Sequence, residues 1–253
     1  MVIKNRLYSF IVLILIMACN SVNQVAKSPV SEELSKQKTK QTTVSTPPPV
    51  IAKPKMCLEM ERMGLVEVRS QDISIRVVLP YASNDNFTGQ VLYESSQYAY
   101  LQPEAAVMLA KASQLLQKQH PNYRLLVLDA ARPLSVQQKM WNIVKGTPLN
   151  IYVANPKKTG LHNYGAAVDI TIVNDMGVAL DMGTPYDFFG EEAQPAKEEQ
   201  MLKEGKLTQQ QLDNRKLLRD VMNKSGFLTY NREWWHFNAC TLLKAKSKYK
   251  VIP

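Results

Sequence analysis

Apolar positions recur with helical spacing in three segments of the chain. The first runs from Pro103 to about Gln119, where a proline suits the first helical turn and alanine and leucine line one side. Residues 134–144 show a second helical pattern. A third predicted helix begins at Thr208, whose partner Gln211 completes a capping box, and it stops at Gly226.

Five shorter segments predict strands, because they are rich in apolar, β-branched or aromatic residues. They comprise residues 66–69, 73–79, 124–128, 166–173 and 234–238. These strands do not alternate regularly with the helices. The pattern therefore favours a single α+β domain, with a mainly antiparallel sheet and flanking helices.

The first 19 residues resemble an export signal. Lys4 and Arg6 precede an apolar run at residues 10–17, which is too short to span a bilayer as a helix. The run ends in Ile-Met-Ala-Cys, which resembles the lipobox of bacterial lipoproteins, so Cys19 is the predicted lipidation site. The alternative is an ordinary secretory signal followed by an unrelated cysteine. Either signal predicts an extracytoplasmic protein of the cell envelope, and the lipobox predicts one that is lipid-anchored to a membrane on its periplasmic side.

Residues 20–55 are rich in Ser, Thr, Gln, Lys and Pro and lack apolar periodicity, which predicts a disordered tether. Fully extended, such a tether reaches on the order of 100 Å. The chain carries a formal charge of +9, but residues 56–253, the predicted globular domain, hold 23 basic and 20 acidic side chains. The excess lies mostly in the signal and the tether, so a basic face for nucleic acid is not indicated.

Two cysteines lie near the two ends of the predicted domain. In an oxidising compartment Cys57 and Cys240 form either a disulfide that joins these ends or two buried thiols. Neither has the spacing of a zinc-binding cysteine pair.

Two of the three histidines stand beside acidic residues. His162 precedes the predicted strand that contains Asp169, and a turn at Gly165 would let the two side chains converge. Imidazole nitrogen and carboxylate oxygen are both good zinc ligands. Taken alone, the pair also fits a structural hydrogen bond between histidine and aspartate. The third histidine, His120, lies before a proline at a helix end and is a predicted surface residue.

The second histidine lies in the segment Glu233-Trp-Trp-His-Phe. On a regular strand Glu233 and His236 point to opposite faces, so a strand start or a bulge at Glu233 is needed to bring both into one site. Catalytic zinc typically has three protein ligands and one water, and His162, Asp169 and His236 would supply the three. Glu233 is then free to act as general base. The alternative role for Glu233 is a surface salt bridge. The two adjacent tryptophans argue against it, because they indicate a buried or half-buried setting.

Arg132 follows a predicted strand and precedes Pro133. A cation in this position can point into a cleft and stabilise the oxyanion that forms when water attacks an amide. The alternative is a structural ion pair, for which Asp129 is the nearest candidate.

Together these segments resemble the D-alanyl-D-alanine dipeptidases of the VanX type, within the wider group of zinc DD-peptidases and LD-carboxypeptidases. The resemblance covers roughly residues 80–240. It is carried by five motifs in order: Tyr81-Ala82 with Asp85-Asn86-Phe87-Thr88-Gly89, Arg132-Pro133, His162-x-x-Gly165-x-Ala167-x-Asp169, Met182-Gly183-Thr184-Pro185-Tyr186-Asp187-Phe188, and Glu233-Trp234-Trp235-His236.

The resemblance implies one zinc ion per chain, bound by His162, Asp169 and His236. It also implies that Glu233 is the general base and that Arg132 stabilises the transition state. It also implies that Tyr81 and Asp187 lie in the substrate pocket, with Asp187 close to the free ammonium of a dipeptide. One position departs from the family: Gly160 stands where a serine is common. The missing hydroxyl leaves the metal untouched but can shift the selectivity among dipeptides.

The predicted function is zinc-dependent hydrolysis of D-Ala-D-Ala or a related cell-wall dipeptide. One alternative is a carboxypeptidase or endopeptidase that trims peptidoglycan stem peptides through a more open cleft. Another is a non-catalytic envelope-binding lipoprotein, against which the presence of Glu233 argues. The predicted partners are a small dipeptide and, through the lipid anchor, a membrane.

Overall fold

A five-stranded sheet forms the centre of the part of the chain that the computed structural model describes, residues 53–253. The strands are β1 (Val66–Glu67), β2 (Arg76–Val77), β3 (Tyr100–Leu101), β4 (Arg124–Asp129), β5 (Ala167–Val173), β6 (Leu228–Thr229) and β7 (His236–Asn238). The sheet has the order β2-β4-β5-β7-β6, in which only the β2–β4 pair is parallel. β1 and β3 form a separate antiparallel pair. The prediction of an α+β fold with a mainly antiparallel sheet is confirmed.

Six α-helices accompany the sheet within residues 53–253. They are α1 (Lys55–Arg62), α2 (Pro103–Gln119), α3 (Leu134–Val144), α4 (Glu198–Lys203), α5 (Gln209–Ser225) and α6 (Leu242–Lys248). None of these helices is long and apolar enough to cross a membrane. The predicted export signal, with Cys19, and the predicted tether up to residue 52 lie outside the described residues.

The core lies on the sheet face that α2 and α5 cover. All seven residues of β5 are buried, because the strand lies between β4 and β7 and is covered on both faces. α2 packs against both α5 and β4. Burial of a leucine or isoleucine side chain contributes about 1.5–3 kcal/mol, so this core stabilises the strands that carry the site. Its fully buried members include Leu109, Leu116, Leu125, Val127, Ile170, Ile172, Leu218 and Phe237.

Three of the strands are shorter than the sequence predicts. In the predicted strand 66–69, the Glu67 side chain accepts a hydrogen bond from the Arg69 backbone nitrogen (3.1 Å) and starts a 3₁₀ turn at Val68–Ser70. In the predicted strand 73–79, only Arg76–Val77 pair with β4. The last predicted strand begins two residues later than expected, at His236.

Cys57 and Cys240 are both free, buried thiols. Cys57 packs beside Met60 and Tyr100, whereas Cys240 packs in another cluster with Tyr164. The structure therefore has the two buried thiols and not the disulfide.

Candidate metal centre and active site

The three side chains predicted to bind a metal meet beside strands β5 and β7. His162 Nε2 lies 3.4 Å from Asp169 Oδ1 and 3.1 Å from His236 Nδ1. His236 Nδ1 lies 2.9 Å from the same oxygen of Asp169. His162 and Asp169 are buried and His236 is half-buried. One nitrogen or oxygen of each side chain therefore faces a common point, and the cluster can hold a metal ion.

Local structure explains this convergence. His162 lies on a 3₁₀ helix, Leu161–Tyr164, which ends at Gly165 with a left-handed φ of 65°. This turn directs the chain into β5, where Asp169 stands directly opposite His236 in the antiparallel pairing with β7. A β-carbon on Gly165 would lie only 2.7 Å from Leu65 Cδ2, so glycine meets both a conformational and a steric requirement here.

Each of the three side chains is held from its outer side by another group. His162 Nδ1 donates to the Ala130 carbonyl (2.6 Å), and His236 Nε2 donates to Asn238 Oδ1 (2.7 Å). The Tyr186 hydroxyl donates to Asp169 Oδ2 (3.1 Å). These hydrogen bonds place the ring protons of both histidines outside the cluster. His162 Nε2 and His236 Nδ1 then present lone pairs to Asp169 Oδ1, an arrangement that a cation stabilises.

The electrostatics of the cluster favour an ionised carboxylate. Burial alone would raise the pKa of Asp169, but the imidazoles of His162 and His236, when they carry a proton towards the carboxylate, hold it well below its usual range. Burial alone would lower the pKa of His162, and the Asp169 carboxylate raises it instead. The cluster thus attracts positive charge, either as protons or as a metal ion.

Glu233 lies just before β7. The sequence allowed either a strand start or a bulge at this residue, and the structure has the strand start. Its Oε2 is 3.9 Å from His236 Nδ1. Trp234 and Trp235 beside it are both buried. Burial raises the pKa of Glu233 to about 7, so the carboxyl group can both accept and release a proton near neutral pH.

Arg132 is buried and is fixed by two neighbours. Its Nε donates to Asp129 Oδ2 (2.9 Å), to which Nη2 also donates, and its Nη1 donates to Gln137 Oε1 (3.0 Å). Burial alone would lower the pKa of Arg132, but Asp129 raises it well above its ordinary value, so the side chain stays cationic. The ion pair that the sequence offered as an alternative is present, and Nη2 still lies 3.9 Å from Asp169 Oδ2.

Tyr81 and Asp187 are bonded to each other on the same cavity. The Tyr81 hydroxyl donates to Asp187 Oδ2 (2.7 Å), and burial raises the pKa of Asp187 to about 7. Asp187 has a left-handed φ of 59°, which a non-glycine residue seldom adopts. Such strained backbone often occurs at functional sites.

All seven side chains predicted for the site line one cavity of about 310 Å³. This volume lies at the small end of the range for ligand pockets. Gly160 also lines it, and a β-carbon there would lie 3.1 Å from the Ala154 β-carbon. The wall is otherwise largely apolar and aromatic, with side chains such as Phe87, Met140, Tyr152, Phe189, Tyr230 and Trp235.

Sequence reasoning missed two amide side chains that organise the site. Asn238 orients His236, and its only signal in the sequence is its position two residues further along the same strand face. Gln137 joins Arg132 to the Ala154 carbonyl, to which its Nε2 donates (2.8 Å). Nothing in the sequence distinguishes it from the other glutamine on α3, Gln138.

Comparison with known proteins identifies a family and several relatives. Residues 61–251 match the D-ala-D-ala dipeptidase family of peptidases. A D-alanyl-D-alanine dipeptidase of Escherichia coli is 29% identical over 170 residues, which cover 64% of this chain and 78% of that protein. One from Enterococcus faecium is 30% identical over 175 residues (62% and 82%), and one from Synechocystis is 32% identical over 148 residues (47% and 60%).

The family match spans well over half of the chain and includes every residue of the cavity named above. The alternative of a non-catalytic binding protein is thereby set aside, since the relatives are named as hydrolases of a dipeptide. This chain belongs to the D-ala-D-ala dipeptidase family of peptidases and is an enzyme of that class.

Proposed function

We propose that this enzyme is a zinc-dependent dipeptidase that hydrolyses D-Ala-D-Ala or a related cell-wall dipeptide. The observation that carries the proposal is the position of three inward-facing metal donors beside a buried glutamate and a buried arginine, in one small cavity. The names of the relatives support the substrate class.

His162, Asp169 and His236 would hold the zinc ion. Two imidazole nitrogens and one carboxylate oxygen form a donor set typical of catalytic zinc, which leaves one position open for water or substrate. When bound, zinc acidifies water and polarises a carbonyl group as a Lewis acid. Ala130, Asn238 and Tyr186 fix the directions of the three ligands by hydrogen bonds.

Glu233 is the proposed general base. Its carboxylate takes a proton from the attacking water and then passes that proton to the nitrogen of the leaving amine. Burial raises the pKa of Glu233, which makes the carboxylate a better proton acceptor, and a bound cation acts in the opposite direction and keeps it ionised before it takes the proton.

Arg132 is the proposed partner of the oxyanion. Asp129 and Gln137 take three of its five N–H groups, so the remaining ones are free to face the carbonyl oxygen that gains charge. Because the guanidinium is already fixed, it does not need to reorient during the reaction.

Tyr81 and Asp187 are the proposed binding site for the substrate's amino group. A free dipeptide brings an ammonium close to the scissile bond, and Asp187 provides the opposite charge inside a buried pocket. In an N-acylated dipeptide or a stem peptide the same nitrogen is an uncharged amide and carries more chain. Such a substrate leaves Asp187 unpaired, so discrimination by several kcal/mol is expected.

A panel assay tests the proposal. The purified, zinc-loaded protein is given D-Ala-D-Ala, its L,D, D,L and L,L counterparts, N-acetyl-D-Ala-D-Ala and a stem pentapeptide, with and without a chelator. We expect cleavage of free dipeptides, loss of activity with the chelator, and little cleavage of the acylated or longer substrates. Because Gly160 replaces the common serine, mixed-stereochemistry dipeptides are the most informative members of the panel. Efficient cleavage of the N-acetylated substrate would instead indicate a stem-peptide carboxypeptidase.

We also propose that the enzyme works in the cell envelope, held to a membrane by a lipid on Cys19. The support is the sequence alone: a basic start, a short apolar run and a lipobox-like Ile-Met-Ala-Cys segment. The predicted tether of residues 20–55 would then let the enzyme act at a distance from the membrane.

A further inference from the structure

Arg215 on α5 is a buried cation that the proposed reaction does not use. Its side chain is 0% exposed, and within residues 53–253 its Nη1 and Nη2 atoms have no hydrogen-bond partner. Nη1 forms an ion pair with Glu198 Oε1 at 3.6 Å, just beyond hydrogen-bond distance. Burial lowers the pKa of Arg215. A guanidinium so poorly satisfied destabilises the fold relative to an apolar side chain, so its presence calls for another explanation.

Its contacts provide one, because they reach both of the segments that carry Asp187 and Glu233. Arg215 Nε donates to the Met182 carbonyl (2.6 Å), five residues before Asp187. The guanidinium also lies over the ring of Trp234, at 5.9 Å, and Trp234 directly follows Glu233.

Neither of these segments belongs to a helix or strand, although the Trp235 carbonyl accepts a hydrogen bond from the Ile170 backbone nitrogen of β5 (3.0 Å). Residues 181–190 contain no helix or strand, and residues 233–235 precede β7. They are joined to each other by a hydrogen bond from Trp234 Nε1 to Thr184 Oγ1 (2.8 Å) and by an edge-on contact between Trp235 and Tyr186. Gln211 and Asn214 of α5 also bond Asp181, and Arg215 is the residue of this helix that contacts both segments.

We propose that Arg215 is a positioning residue that sets the separation of the Asp187 and Glu233 carboxylates, and with it the fit of a free dipeptide between them. The kinetic consequence rests on the proposed function. A pocket that binds the ammonium and also acts on the scissile bond requires the two carboxylates at a fixed separation. A shift of about 1 Å can lower the rate by about 100-fold.

A neighbouring arginine gives a matched control. Arg219 lies one turn further along α5 and donates to both carboxylate oxygens of Glu198, at 3.2 and 2.7 Å. No hydrogen bond or ring contact joins Arg219 to residues 182–187 or to Trp234 in the described part of the chain. Since Arg219 also satisfies Glu198 when Arg215 is replaced, Arg215→Met does not leave a buried carboxylate unpaired.

The experiment compares Arg215→Met, Arg215→Lys and Arg219→Met with the unmodified zinc-loaded protein. The readouts are KM and kcat for D-Ala-D-Ala, the unfolding temperature, and hydrogen exchange of residues 182–189 and 232–238. We expect both Arg215 variants to fold, to raise KM by about tenfold or more, and to exchange faster in both segments. Lysine should not rescue, because a point charge cannot hold a carbonyl and stack on an indole together. Arg219→Met should lower the unfolding temperature and leave KM within about twofold.

Three outcomes would overturn the proposal. They are a folded Arg215→Met protein with the KM and exchange of the unmodified protein, full rescue by lysine, and failure of both Arg215 variants to fold, which would make Arg215 a purely structural residue. If the unmodified protein hydrolyses no dipeptide, the proposed function fails, and the exchange comparison still decides on Arg215.

Discussion

At the scale of single residues, the metal cluster is defined as much by its outer hydrogen bonds as by the three donor side chains. Ala130 and Asn238 each fix the protonated nitrogen of one histidine away from Asp169. Without them either ring could turn or change tautomer. The inward lone pairs are therefore a property of the fold, and the site is prepared for a cation before one binds.

The first prediction concerns the metal. His236→Ala removes one of three donors and should reduce zinc to a small fraction of one ion per chain, as measured by elemental analysis after dialysis. His120→Ala is the matched control, because His120 is exposed and stacks on Tyr123, far along the sequence from the three donors. Full zinc occupancy in the His236→Ala protein would show that the ligand set is wrong.

The second prediction concerns the base. Glu233→Gln keeps the shape of the side chain but cannot take up the proton, so turnover of D-Ala-D-Ala should fall by about 100-fold or more. Zinc content should stay at the level of the unmodified protein, since Glu233 is not one of the three donors. If turnover persists with zinc bound, another group activates the water.

The third prediction concerns Asp187 and pH. Its pKa of about 7 in the folded protein exceeds the usual value of 3.8, so between these values the folded state holds more protons than the unfolded state. The free energy of unfolding should therefore fall by about 4 kcal/mol from this group as pH rises through this window, and it should level off above about pH 7.

Asp187→Asn should remove that part of the pH dependence. The measurement is urea unfolding of metal-free protein at several pH values, because a bound cation would itself favour the ionised carboxylate. Asp175→Asn, on an exposed turn, is the control and should follow the unmodified protein. A pH profile that is unchanged by Asp187→Asn would contradict the burial-raised pKa.

At this scale, the sequence revealed those residues whose side chains are chemically distinctive and few in number. Histidines beside acids are few, so His162, Asp169 and His236 stood out as one donor set. Asn238 and Gln137 could not be found in the same way, because an amide gains its role only from a tertiary contact. The hydrogen bond between Tyr81 and Asp187 likewise cannot be inferred from the sequence, because the two residues are 106 positions apart.

At the scale of elements, the long helices have the bounds that the sequence predicts, whereas the short helices were not predicted. α2, α3 and α5 have clear apolar periodicity and local start or stop signals, so their predicted bounds hold to within about one residue. α1, α4 and α6 have only six to eight residues and were not predicted. The edge strands were too long in the prediction, because strand length depends on the partner strand and not on propensity alone.

The fourth prediction concerns the turn that joins the His162 helix to β5. In Gly165→Ala the alanine must adopt a left-handed φ, and its β-carbon lies too close to Leu65. The substitution should therefore destabilise the protein by about 2–4 kcal/mol and weaken zinc binding. Gly146→Ala is the matched control: its φ is 80°, but nothing lies within 4 Å of the added carbon. It should lose only about 1 kcal/mol. Equal losses in urea unfolding would show that the contact with Leu65 does not matter.

At the scale of the whole molecule, the cavity gathers groups from Tyr81 to Leu242, a span of most of the described domain. The central strands carry Asp169 and His236, the 3₁₀ helix that leads into β5 carries His162, and irregular segments supply Asp187 and Glu233. This division explains why the sequence predicted the donors' environment better than the substrate side: a β-ladder follows from pattern, but the path of residues 181–190 depends on contacts with α5.

The last prediction concerns how the whole protein is held in the cell. If Cys19 carries the lipid, Cys19→Ser should move the protein from the membrane fraction to the soluble extracytoplasmic fraction, with its domain still folded and active. The reason is that the apolar run at residues 10–17 is too short to remain as a membrane-spanning helix. Cys57→Ser changes a thiol inside the domain and should leave the fractionation unchanged. Fractionation with detergent-phase partition measures both variants. Retention of Cys19→Ser in the membrane would identify the apolar run itself as the anchor, and the lipid assignment would be wrong.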